Sequence, residues 1–132
     1  MPGLTRHPSS RLLGLAFVAA LAPAFAATLP DDEAAFNAWA KDHVLALGQF
    51  EKYLGDSQVR GIVPTRHLLR TATDWQKCAG PQFEVPPAAQ WPDIKQVLRL
   101  VEELKKQRIL EEFEAVSNYR NPVLNTCAGG AK

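Results

Sequence analysis

The segment WPDIKQVLRLVEELKK, residues 91–106, decides the fold, because it carries the clearest helical pattern in the chain. Trp91, Pro92 and Asp93 begin it. Its apolar residues recur at the i, i+3, i+4, i+7 spacing that places them on one face, and its charged residues occupy the opposite face. The apolar positions are Ile94, Val97, Leu98, Val101 and Leu104. We therefore expect an amphipathic helix that buries one stripe against a small sheet.

The sheet is expected to begin with the segment FEAVSNY, residues 113–119, which alternates as a half-buried strand does. Arg120-Asn121-Pro122 interrupts the pattern, and residues 124–127 are compatible with one helical turn that Gly129-Gly130 ends. A single strand leaves its own edges unpaired, so the sheet that the sequence predicts is incomplete.

Two further helices are predicted upstream. One starts at residues 30–33, where acidic residues occupy the first turn, and continues through Gly48 to a stop signal at Gly55-Asp56. The second covers residues 65–77, with Thr65 as its N-cap. Residues 79–92 contain four prolines and are expected to form a loop. The predicted fold class is α+β, with about three helices packed on a small, incomplete sheet.

The N-terminus has the pattern of a cleaved secretory signal peptide, residues 1–26. Arg6 and Arg11 are followed by an apolar run over residues 12–21 and by the cleavage motif Ala24-Phe25-Ala26. The alternatives are a membrane anchor or an amphipathic helix, but the run is shorter than the roughly 20 residues that a transmembrane helix needs. We expect one mature domain, residues 27–132, in the periplasm or outside the cell, without a transmembrane segment.

The charge of the chain is balanced, with 15 Lys and Arg residues against 14 Asp and Glu residues. The signs are mixed along the chain, as on an ordinary solvated surface. No basic patch of the kind that binds nucleic acid is present, so nucleic acid is not an expected partner.

Two cysteines, Cys78 and Cys127, lie in the mature part of the chain. An even count in an oxidising compartment favours a disulfide between them. The alternative is a pair of buried free thiols. A zinc site is not expected from these cysteines, because neither has a C-x-x-C partner or a nearby histidine.

The residues alone do not define an active site. The mature histidines, His43 and His67, fall on different predicted helices and have no second ligand at metal-binding spacing. The acid pairs at residues 31–32 and 111–112 are interpreted as a helix cap and a turn. No phosphate-binding loop or nucleophile elbow is present.

Several segments, taken in order, resemble a known family. They are residues 68–72, Asp74-Trp75, Cys78, residues 83–87, Trp91-Pro92, and the run S-x-Y-R-x-P-x-L-N-x-C-A-G-G-A over residues 117–131. Together they resemble the zinc D-alanyl-D-alanine carboxypeptidases and endopeptidases that cut the peptides of peptidoglycan. The likeness covers residues 36–132. It implies a metal-polarised water that attacks an amide, with zinc bound in a full-length relative by an S-x-H…D segment and a later histidine.

The chain ends at Lys132, where the resemblance places the start of the zinc-ligand segment, so we expect a peptidase-like domain truncated before it. The resemblance implies that Arg120 binds the substrate carboxylate or the developing oxyanion, and that Ser117 and Tyr119 belong to the same substrate site. A guanidinium suits that role because its planar fork binds a carboxylate bidentately. The alternative for Arg120 is a salt bridge within the turn.

Three hypotheses for function remain open on the sequence. The chain is a fragment of a zinc peptidase that hydrolyses peptidoglycan peptides, or a non-catalytic exported domain that binds cell-wall peptides. The third hypothesis is a small disulfide-stapled periplasmic domain that has a structural or partner-binding role and does not contact the cell wall. The sequence leaves open whether it is an enzyme.

Overall fold

The computed structural model describes residues 31–130. The predicted signal peptide therefore lies outside the described residues. Within them the chain forms five α-helices and one short 3₁₀ helix, and no helix among them is long and apolar enough to cross a membrane. In chain order the elements are α1 (Glu33–Asp42), α2 (Val44–Asp56), α3 (Thr65–Leu69), the 3₁₀ helix (Ala88–Gln90), α4 (Trp91–Lys106) and α5 (Pro122–Cys127).

Helix α4 confirms the amphipathic helix predicted over residues 91–106. Leu98 is buried, and Ile94 and Val101 are packed against the core, but Val97, which was expected on the buried stripe, is exposed. The expected partner was wrong, because α4 packs on α2 rather than on a sheet. Trp91 forms much of this contact, since its ring lies 5.5 Å from that of Phe50 and its Nε1 donates to the carbonyl of Pro86 at 2.8 Å.

The helix that was predicted to run from residues 30–33 to Gly55-Asp56 is two helices, with the break at His43. The His43 imidazole hydrogen-bonds through Nδ1 to the carbonyl of Trp39 at 2.8 Å and stacks on the Trp39 ring at 4.3 Å. This side chain occupies the carbonyl that the His43 amide would use in a continuous helix, and the amide bonds to the carbonyl of Ala40 instead. Gly48 remains helical inside α2.

One cluster of buried apolar side chains forms the core between α2, α3 and α4 and the loop before the 3₁₀ helix. Burying a large apolar side chain stabilises a fold by about 1.5–3 kcal/mol, so this cluster is the main favourable term of the domain. Its members are Phe50, Leu54, Val59, Val63, Leu68, Leu69, Phe83 and Leu98.

The second predicted helix ends eight residues earlier than expected, at Leu69 instead of Lys77. Arg70 leaves the helical region, with φ −62° and ψ 132°, and forms an isolated antiparallel bridge with Phe83. The amide of Thr71 donates to the carbonyl of Gln82 in the same pairing. A long-range backbone contact thus overrides the local helical preference of this segment.

The α+β prediction was wrong. In residues 31–130 the Arg70–Phe83 bridge is the one strand-type pairing, and the domain is mainly helical. Residues 115–119 do alternate in burial, with Ala115, Ser117 and Tyr119 half-buried and Val116 exposed, whereas Phe113 and Glu114 are both exposed. However, within the described part of the chain only one backbone hydrogen bond, from the amide of Asn118 to the carbonyl of Arg70, connects this segment to another one. Side chains therefore alternate between half-buried and exposed here without the hydrogen-bond pattern of a β-sheet.

The disulfide prediction is confirmed. Cys78 and Cys127 are bonded, with their Cα atoms 5.8 Å apart, which is consistent with a location outside the cytoplasm. Because α3 ends at Leu69, Cys78 does not follow directly on a helix but lies in a run of turns. The bond fixes these turns to α5, where the buried Leu124 packs directly over Gly80.

Candidate functional site

A pocket of about 590 Å³ opens between the first half of α4 and the irregular segment 117–120. This volume lies within the range of sites that bind small ligands. The buried side chains of Leu68 and Leu98 contribute to its lining from the core. The other lining residues are Gln90, Asp93, Ile94 and Val97 from the α4 side, residues 117–120 from the opposite side, and Asn125 from α5.

The structure brings together the three residues that the sequence singled out for substrate binding. Ser117, Tyr119 and Arg120 all line this pocket. Arg120 and Tyr119 are half-buried, so their polar groups are reachable from the pocket without being fully solvated.

Arg120 is fixed at one edge of its guanidinium. Its Nε donates to the hydroxyl oxygen of Ser117 at 3.0 Å, and the Ser117 hydroxyl donates to the carbonyl of Thr71. Among residues 31–130 no Asp or Glu forms an ion pair with Arg120, so the turn salt bridge considered from the sequence is not formed within this part of the chain. The terminal nitrogens therefore remain able to donate to a ligand.

The segment that carries Arg120 is held in place by bonds from side chains to backbone atoms. The side-chain amide of Asn118 donates to the carbonyl of Leu68 at 2.8 Å, and the guanidinium of Arg70 donates to the carbonyl of Ala115 at 3.0 Å. Asn121 caps α5 by accepting a bond from the amide of Leu124 at 2.9 Å. These bonds fix the backbone on both sides of Arg120.

Arg70 is the centre of an ion-pair cluster behind this segment. Its side chain is 8% exposed and donates two hydrogen bonds to Asp32, at 2.7 and 2.9 Å, and one to Glu114 at 2.6 Å. The hydrogen bond from Arg70 lowers the pKa of Asp32 below its ordinary value, and the same bond raises the pKa of Arg70. Arg66 adds a second cation 3.1 Å from Asp32.

His67 lies beside this cluster, with its Nε2 3.7 Å from the Glu114 carboxylate. Burial lowers the pKa of His67, and the neighbouring positive charge of Arg70 lowers it further. This shift disfavours the charged form of His67, which lies beside the ion-pair cluster and is not among the residues that line the pocket.

The residues of the described part do not fit the zinc centre that the resemblance implies for a relative. Within residues 31–130 no group of three or more His, Cys, Asp or Glu side chains is arranged to hold a metal ion. Both cysteines are in the disulfide. No zinc-dependent step is assigned to these residues.

Sequence reasoning missed the opposite wall of the pocket. Asp93 was interpreted only as part of a helix start, and Ile94 and Val97 only as core-facing residues. The sequence does show that Asp93 and Val97 are four residues apart and so share one helix face. The local sequence pattern does not show that this face lies opposite residues 117–120. The partnership of Arg70 with Asp32 was also missed, because 38 residues separate them.

Comparison with known proteins adds no relative: no protein-family model, curated protein or solved structure is significantly similar to this chain.

Proposed function

We propose that this chain is an exported domain that binds the carboxylate end of cell-wall peptides, with Arg120 as the carboxylate-binding residue. One observation carries the proposal. A half-buried guanidinium is fixed through Nε in a pocket of about 590 Å³, while its terminal nitrogens form no ion pair within residues 31–130.

The chemistry of the pocket supports a carboxylate ligand. Two terminal guanidinium nitrogens match the two oxygens of a carboxylate, and such charge-assisted bonds are stronger than neutral ones. Ser117 accepts the remaining N–H and so determines the direction in which the fork points. Ile94 and Val97 add apolar surface in the same pocket, which suits a small aliphatic side chain next to the carboxylate.

The identity of the ligand as a D-alanine-terminated peptide follows from the sequence resemblance to D-alanyl-D-alanine peptidases. We propose kinship with that family and a periplasmic location, supported by the signal-peptide pattern and the disulfide. The part of the chain in residues 31–130 supplies the carboxylate-binding wall of such a site. Hydrolysis would require metal ligands that these residues do not provide.

Calorimetric titration of a stem pentapeptide ending in D-Ala-D-Ala tests the proposal. Wild type is expected to bind, and Arg120→Ala is expected to weaken binding about tenfold, because losing a charge-assisted pair costs roughly 1.5 kcal/mol or more. Arg120→Lys should also bind more weakly than wild type, since an ammonium cannot reproduce the bidentate fork.

Arg60→Ala is the matched control. Arg60 is exposed, lies outside the pocket and pairs with Glu51 at 3.0 Å, so its loss should leave peptide affinity unchanged. Equal affinity of wild type and Arg120→Ala would refute the role of Arg120. A wild type that does not bind the peptide would instead favour a domain that binds a protein partner.

A further inference from the structure

Among residues 31–130, Asp93 is the one acidic side chain that lines the pocket with Arg120. It lies in the first turn of α4 and is exposed. Within the described chain, residues 31–130, Asp93 forms no ion pair. Its carboxylate is therefore available to a ligand in the pocket.

The pocket thus carries two opposite charges that do not neutralise one another. Arg120 projects from the segment before α5 and Asp93 from α4, and the two side chains line the same cavity without pairing. Ile94 and Val97 continue the α4 wall beside Asp93. A ligand with an anionic and a cationic group, separated by an aliphatic part, would complement all three features.

We infer that Asp93 is a specificity-determining residue that selects peptides with a free ammonium group in addition to the terminal carboxylate. The inference rests on the proposed function, and it narrows the ligand class to peptides that contain a diamino acid. The ammonium pairs with Asp93, while Arg120 binds the carboxylate. A peptide without the ammonium makes only the second interaction.

Asp93 also has a structural role that the test must separate from recognition. A carboxylate in the first turn of a helix is stabilised by the helix dipole. Replacing Asp93 therefore changes α4 as well as the charge in the pocket. Weaker binding of a single peptide by Asp93→Asn would not distinguish these roles. They are distinguished by whether the loss of affinity occurs only for a peptide that carries the ammonium group.

The experiment compares two probes, Nα-acetyl-Lys-D-Ala-D-Ala and Nα,Nε-diacetyl-Lys-D-Ala-D-Ala, which differ only in the side-chain ammonium. Wild type is expected to bind the first about threefold more tightly, as an exposed ion pair allows. Asp93→Asn should remove this preference and retain the wild-type affinity for the diacetyl peptide. Asp74→Asn, which changes an exposed aspartate outside the pocket, should keep the preference.

Each outcome decides a separate point. An equal loss of affinity for both peptides in Asp93→Asn would mean that Asp93 acts through the helix, and it would overturn the inference. Equal binding of the two peptides by wild type would also overturn it, while leaving the role of Arg120 intact. Failure of wild type to bind either peptide would overturn the proposed function and this inference together.

Discussion

Replacing Arg70 tests how the domain holds the segment that carries Arg120. Arg70→Met keeps most of the aliphatic stem and removes the guanidinium. The substitution deletes two hydrogen bonds to Asp32, one to Glu114 and one to the carbonyl of Ala115. Asp32 is only 12% exposed, so its charge is left largely desolvated with Arg66 as its remaining partner.

The magnitude follows from the burial of these groups. Removing one partner of a buried ion pair costs about 3–5 kcal/mol. Here Arg66 continues to neutralise Asp32, and Glu114 is 38% exposed and becomes hydrated when its partner is lost. We therefore expect the free energy of unfolding to fall by about 2–3 kcal/mol, below the range for a fully buried pair.

Urea unfolding followed by tryptophan fluorescence measures this change, because all three tryptophans lie within residues 31–130. Arg70→Lys is the matched variant: it keeps the charge and should lose less than Arg70→Met. In a double-mutant cycle with Asp32→Asn, the double variant should lose less free energy of unfolding than the two single variants lose in sum. An ordinary surface substitution changes the free energy of unfolding by about 0.5 kcal/mol or less. A change of that size for Arg70→Met would refute the proposed role of Arg70.

Three more expectations follow from the structure. Replacing both Cys78 and Cys127 by serine should reduce the free energy of unfolding by about 4 kcal/mol, since the bond closes a loop with a sequence separation of 49, and unchanged urea unfolding would contradict this. Acidification should destabilise the fold as pH falls below 6.5, because the folded-state pKa of His67 lies below that value and the unfolded chain takes up the proton first; His67→Gln should remove this step from the pH profile of unfolding. A further loss should begin near pH 3.8, as the contribution of Asp32 is complete above that value and disappears as pH falls through its lower folded-state pKa, and Asp32→Asn should abolish it in the same pH series.

Local patterns predicted the features whose physical cause is local. The helix over residues 91–106 was predicted because four turns of apolar periodicity report one buried face. The helical turn suggested over residues 124–127 corresponds to α5, which begins two residues earlier at Pro122, and Gly129 follows it with φ +73°. The disulfide followed from cysteine parity and the expected compartment, without any knowledge of the fold.

The features that the sequence missed depend on long-range contacts. The alternating sequence pattern over residues 113–119 indicates an extended segment with one side towards the core. Whether such a segment pairs as a β-strand depends on the backbone segments beside it. Here side chains such as Asn118 bond to the backbone of α3 and no ladder forms. The end of α3 likewise depends on the bridge between Arg70 and Phe83, which lies outside any local window.

The candidate site divides in the same way. Ser117, Tyr119 and Arg120 are close in sequence, so the resemblance could single them out together. Asp93 and Val97 join them only because α4 lies across the pocket from residues 117–120. That placement is a product of core packing around Leu98, which no local pattern reveals.

The most direct test of a carboxylate-binding Arg120 is a thermodynamic cycle between the ligand carboxylate and the guanidinium. The affinities of wild type and Arg120→Ala are measured by calorimetry for one stem pentapeptide with a free C-terminal carboxylate and for the same peptide with a C-terminal amide. Wild type should bind the carboxylate form about tenfold more tightly than the amide, and Arg120→Ala should bind both forms equally weakly. If Arg120→Ala keeps the full preference for the carboxylate, another group binds it and Arg120 is not the carboxylate-binding residue.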